Sequence, residues 1–77
     1  MLKQAFVLIN AEIGAEKEVL KSLESIPEVR EAHEVLGLYD VVARVEAETP
    51  HQLKDIVNLR VKRIDKVRNV LTMRYAR

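Results

Sequence analysis

Hydrophobic positions fall in six blocks along the chain. In residues 5–13 the odd positions Ala5, Val7, Ile9, Ala11 and Ile13 are all apolar, and Phe6 and Leu8 lie between them. A run apolar on both sides predicts a strand covered on both faces over much of its length. Gly14 breaks it. Residues 15–25 repeat at helical spacing, with Val19, Leu20 and Leu23 on one side, Ile26 just beyond, and Glu16, Lys17, Glu18, Lys21 and Glu24 opposite. Acidic residues near the start suit the positive end of the helix dipole. Pro27 stops this helix, because the residue before a proline avoids the α region.

Residues 29–36 alternate imperfectly. Val29, Glu31, His33 and Val35 fall on one side, and Arg30, Ala32, Glu34 and Leu36 on the other. So many charges mark an edge or half-exposed strand. Gly37 follows, free to take the positive φ that a tight reversal needs. Residues 40–46 read as a central strand, since only Arg44 interrupts the apolar run. Thr49 and Pro50 open a second helix as cap and first helical residue. It is expected to reach residue 63 and to bury Leu53, Ile56, Val57, Val61 and Ile64. Residues 67–75 form the last strand, with Val67, Asn69, Leu71, Met73 and Tyr75 on one side and Arg68, Val70, Thr72 and Arg74 on the other.

The order strand, helix, strand, strand, helix, strand predicts an α+β fold of the ferredoxin-like type. Two right-handed crossovers and a central hairpin give a four-stranded antiparallel sheet with both helices on one face. The uncovered face would leave apolar side chains of the first and third strands in water, each forgoing roughly 1.5–3 kcal/mol of burial. Two copies stacked sheet against sheet, as a twofold dimer, remove that cost.

Size and composition point the same way. A chain of 77 residues is one small domain, of the size that often leans on disulfides, metals or partners. It has no cysteine and only two histidines, His33 and His51, far apart. Disulfides are excluded, a structural zinc site is poorly served, and association remains. Thirteen Lys and Arg against twelve Asp and Glu give a net charge of +1, which argues against a dedicated nucleic-acid binder. No apolar run is long enough to span a membrane and the N-terminus has no signal-peptide pattern. The expectation is a cytoplasmic protein.

Catalytic groupings are missing from the pattern. Ser22 and Ser25 have no nearby histidine, Gly14 and Gly37 are isolated rather than a phosphate loop, and Asp40, Asp55 and Asp65 are scattered. The chain is read as no enzyme, with no cofactor, no metal and no catalytic residue. RNA binding by sheet aromatics is discounted, because Phe6, Tyr39 and Tyr75 are the only aromatics. A small-molecule binder fits better. Asp40 offers a carboxylate to an ammonium group, and the N–H groups around Gly37 and Leu38 can hold a carboxylate. An α-amino acid carries both charges on one carbon. The plainer reading, that Asp40 only organises turn backbone through an Asx contact, stands beside it.

The stretch Val35-Leu36-Gly37-Leu38-Tyr39-Asp40-Val41-Val42, set between two strands in this element order, resembles the Gly-x-Tyr-Asp hairpin of the Lrp/AsnC family. The likeness extends over essentially the whole chain to that family's effector-binding RAM domain. Residues 25–29 resemble its helix-to-strand connection, and residues 67–75 its last strand. The resemblance implies a dimer through the open sheet faces and further assembly into rings, often octamers of four dimers. It also implies an amino acid or related effector bound near the hairpin between dimers. Carried over, Gly37 and Leu38 supply backbone contacts, Tyr39 a wall and Asp40 the ammonium partner, while Thr72 stands at a hydroxyl position that faces the ligand. Val70 departs from a second such position. Asp40→Ala is expected to abolish binding and leave the fold intact.

Full-length members carry a DNA-binding helix-turn-helix before the first strand, where this chain has about four residues. The expectation is a stand-alone RAM domain over residues 1–77 that makes no direct contact with nucleic acid and tunes full-length regulators in mixed assemblies. Two alternatives share the element order: an ACT-like amino-acid-binding subunit, whose glycine loop would be at Gly14, and a small dimeric α+β-barrel enzyme.

Overall fold

The computed structural model describes residues 2–74. Tyr75, assigned above to the last strand, lies outside the described residues. Strand β1 (Lys3–Ala11), helix α1 (Glu16–Glu24), strands β2 (Val29–Glu34) and β3 (Val41–Ala47), helix α2 (Pro50–Ile56) and strand β4 (Val67–Arg74) follow in the expected order. The sheet is antiparallel throughout, in the order β2-β3-β1-β4. The central hairpin therefore puts β2 at an edge and β3 inside, as the charge pattern implied.

One sheet face carries the core. Ala5, Val7, Ile9, Val41, Ala43 and Val45 are fully buried beneath Val19 and Leu23 of α1 and Leu53 of α2. Thr49 caps α2, its hydroxyl accepting from the Gln52 N–H at 3.1 Å, and the Gln52 side chain accepts in return from the Glu48 N–H at 3.0 Å. Helix α1 has no side-chain cap; its N-cap position is Ala15, which is buried.

Three one-residue irregularities depart from the expected pattern. At the two sheet edges, Arg30 in β2 and Arg68 in β4 are skipped by the pairing, so Val29 faces Val45 and Val67 faces Ala11. Both valines consequently pack against the core, rather than sharing a side with Glu31 or Leu71. A bulge at each edge strand recovers the burial of a valine that strict alternation would have left in water. The second helix also changes form: after Ile56 it continues as a π-helical turn, Val57–Val61, instead of an α-helix to residue 63. In an α-helix, Arg60 would point at the middle of the buried stripe and Val61 at its margin. The wider turn brings Val61 in, fully buried, and leaves Arg60 outside to meet Glu28 at 3.2 Å.

The other sheet face is uncovered and divided. Phe6, Leu8, Val42, Leu71 and Met73 form its apolar part; Leu71 and Met73 are 45% and 48% exposed. On the β2–β3 side, Arg44 joins Glu31 at 2.8 Å and Glu46 at 2.9 Å, and Arg30 joins Glu46 at 3.0 Å. Strand β3 is thus apolar on this face only at Val42, a correction to the expectation that it is apolar on both. Its other two outward residues are held in an ionic chain that neutralises itself. The pKa of Glu31 is held below the usual glutamate value by hydrogen bonds from Arg44 and then His33, and that of Arg44 is raised by Glu31 in return.

Candidate functional site

The loop between β2 and β3 is tied to the end of β1 by three hydrogen bonds. The Asp40 N–H donates to the Ile9 carbonyl at 2.9 Å, the Ala11 N–H donates to Asp40 Oδ2 at 2.8 Å, and Asn10 Nδ2 donates to the Leu38 carbonyl at 2.9 Å. Gly37 sits at φ +141°, a conformation that L side chains rarely adopt, with open space where a Cβ would stand. Only the backbone thus calls for glycine here.

Gly37, Leu38, Tyr39 and Asp40 are brought together at one end of the sheet. The N–H groups of Gly37 and Leu38 make no hydrogen bond within the described residues. Leu36 is fully exposed, and Leu38 and Ile13, the latter on the turn leaving the same end of β1, are nearly so. Tyr39 and Asp40 are half-buried. The Asp40 carboxylate organises backbone, as the plainer reading held, but across the sheet at Ala11 rather than within its own turn. One of its oxygens is engaged there, so removing the side chain would strand a buried N–H. Asp40→Ala is therefore expected to lower stability as well as to remove the ligand carboxylate.

Thr72 is elsewhere. It pairs with Val7 on the far side of β1, while Asp40 precedes the Val41 that pairs with Ile9. Two strand spacings alone separate them by about 10 Å, before the offset along the strands is added. Within one chain Thr72 does not join the hairpin loop. It lines a cleft of about 150 Å³ with Pro50, Leu53, Lys54, Val57, Asn58 and Arg74. Sequence reasoning overlooked Asn10, whose only signal was a polar residue appearing late in an apolar strand.

Residues 4–77 match the model of the Lrp/AsnC ligand binding domain. The chain belongs to this family. Among curated relatives, the HTH-type transcriptional regulator FL11 of Pyrococcus furiosus is 32% identical over 69 residues, covering 90% of this chain and 45% of the regulator. The chain spans less than half the length of the curated relatives it matches. Among solved structures, TTHA0845 of Thermus thermophilus superimposes with a TM-score of 0.91 at 28% identity, covering 100% of this chain and 95% of that one. The transcriptional regulator NMB0573 of Neisseria meningitidis, solved with L-Met, gives a TM-score of 0.85 at 16% identity, covering 97% of this chain and 50% of that one. At that identity the likeness concerns the fold. The Lrp/AsnC assignment makes this chain an effector-binding domain of a family of transcriptional regulators, and among the described residues no helix is long and apolar enough to cross a membrane.

Proposed function

We propose that this Lrp/AsnC domain binds an amino acid at the β2–β3 loop and works as an oligomer built through its open sheet face. One observation carries the ligand reading: the loop that holds Asp40 also holds two backbone N–H groups, at Gly37 and Leu38, that make no hydrogen bond among the described residues. Asp40 has one oxygen on Ala11 and the other for a ligand ammonium, the N–H groups suit its carboxylate, and Tyr39 forms a wall. That NMB0573 was solved with L-Met supports an amino acid as the ligand class. Thr72 enters this site only from a second copy whose β4 lies against the hairpin.

The open face supports the oligomer. Phe6, Leu8, Val42, Leu71 and Met73 lie along it in partial exposure. A second copy covers the apolar part while the ionic chain at Arg44 brings no unpaired charge with it. Leu36, Leu38 and Ile13, left in water at the hairpin end, favour further association of dimers around the site.

The physiological role that follows is regulatory rather than enzymatic: ligand binding by this domain tunes regulators of the same family through shared assemblies. Calorimetry of the native protein against the common amino acids tests the ligand reading. A saturable heat with at least one of them, lost in Asp40→Asn, is the expected result. No heat at millimolar ligand sinks the reading.

A further inference from the structure

Strand β2 is an edge strand, paired with β3 on one side only. Along its outer side lies a groove of about 450 Å³, lined by Glu24, Val29, Arg30, Glu31, Ala32 and His33. The Val35 N–H donates inward to the Asp40 carbonyl at 3.0 Å. Antiparallel alternation then turns the backbone groups of His33 and Glu31 inward as well, and those of Ala32 and Glu34 out toward the groove. Charges on an edge ordinarily resist pairing with another strand. Here their order does the reverse. Laid antiparallel on itself about Ala32, the segment sets Glu31 against His33, His33 against Glu31 and Ala32 against Ala32. No like charges meet, and the self-opposed residue is small, uncharged and one whose N–H and C=O face out. Strand β4, at the other edge, sets Arg68 against Arg74 when reversed about Leu71.

We propose that the β2 edge pairs antiparallel with the β2 edge of a second copy, about a twofold axis between the two Ala32 residues, joining two four-stranded sheets into one of eight. The two Ala32 residues exchange both backbone hydrogen bonds, and Glu31 of each copy lies directly across from the other's His33. Both side chains are free to take part, at 52% and 65% exposed. Glu31 gives Oε2 to Arg44 at 2.8 Å, but its Oε1 reaches its own His33 only at 3.4 Å. That second contact is long for a hydrogen bond, and the His33 opposite replaces it. The bulge at Arg30, which joins Glu46 at 3.0 Å, ends the regular run. The ladder is therefore short, suited to joining folded units rather than to holding one chain folded. A twofold contact of this kind uses the same patch on both copies. It lies at the rim of the sheet, so stacking through the open face does not consume it, and it depends on neither that stacking nor the ligand site.

The test is disulfide trapping in the full chain, which has no cysteine of its own. Glu31→Cys and His33→Cys are prepared separately, then oxidised alone and as a mixture. In the proposed register residue 31 faces residue 33 at a Cα separation of about 4.5–5.5 Å, within disulfide reach, whereas 31 against 31 or 33 against 33 is two residues out of register and beyond it. The mixture is expected to give at least about tenfold more cross-linked pair than either variant alone. Stacked sheets lie about 10 Å apart, too far for a disulfide, so trapping reports the edge and not the open face. Sedimentation of His33→Lys and His33→Glu gives a second readout that leaves Arg44 its partner. The lysine keeps an opposite charge across from Glu31, and the glutamate sets like charges face to face, so association through the edge should be at least about tenfold weaker in His33→Glu. Equal trapping in the mixture and in the single variants, or equal association of the lysine and glutamate variants, overturns the proposal.

Discussion

Replacing Asp40 separates its structural duty from its proposed ligand duty. In the native chain its Oδ2 accepts the Ala11 N–H at 2.8 Å, and Ala11 is only 4% exposed. Asp40→Ala leaves that donor without a partner, at a cost of about 1–3 kcal/mol. Asp40→Asn keeps a carbonyl oxygen at the same place and loses only the charge, which lowers the cost to about 1 kcal/mol or less. Total stability for 77 residues is of order 4–12 kcal/mol, so the alanine change is a sizeable fraction of it. In a domain this small, each kcal/mol moves the melting temperature by about 4–8 °C. Thermal melts of the three proteins, run at one protein concentration because association also stabilises, should order them native, then Asn, then Ala, with the larger gap before Ala. Calorimetry should show amino-acid binding lost in both variants. Equal melting temperatures for Ala and Asn would refute the hydrogen-bond account, and amino-acid binding retained in Asn would refute the ammonium role.

Other consequences are local. Gly37→Ala meets no steric obstacle but must hold φ near +141°, so denaturant unfolding should show a loss of about 1–3 kcal/mol from backbone strain alone. Lys66, at φ +71°, is a non-glycine residue in the left-handed region; Lys66→Gly should gain about 1 kcal/mol, while Lys66→Ala, which also removes the exposed Glu18 contact, should gain nothing. Because Arg44 and His33 hold the Glu31 pKa below its usual value, Glu31 contributes stability above the unfolded glutamate pKa and loses it as pH falls through the folded one. Acid melts of Glu31→Gln should accordingly show a shallower decline than the native protein, and an identical decline would count against the Arg44 contact.

Much of the architecture was legible because it rests on local chemistry. Pro27 ends one helix, Thr49 and Pro50 begin the other, and Gly37 marks the reversal that puts β2 and β3 side by side. What escaped is decided by tertiary packing. The bulges at Arg30 and Arg68 and the π-helical turn each shift one valine, Val29, Val67 or Val61, onto the core. No periodicity shows a one-residue shift until the surface that rewards it is known. The open face was half legible for the same reason: Phe6 and Leu8 declared it apolar, whereas the pairing of Arg44 with Glu31 depends on a register between strands. At the hairpin, the Gly37 to Asp40 segment stood out as a displayed loop, but the Ala11 contact spans 29 residues and has no sequence signal. Thr72 was placed with that loop through family likeness, and strand order separates the two within one chain.

The sheet face left bare by α1 and α2 is the feature on which the regulatory reading rests, since both the site between copies and any mixed assembly require it to be covered. Sedimentation equilibrium of the native protein at low micromolar concentration measures this directly. The expected result is a species of at least twice the chain mass. A folded single chain at that concentration, with Phe6, Leu8 and Met73 facing water, contradicts it.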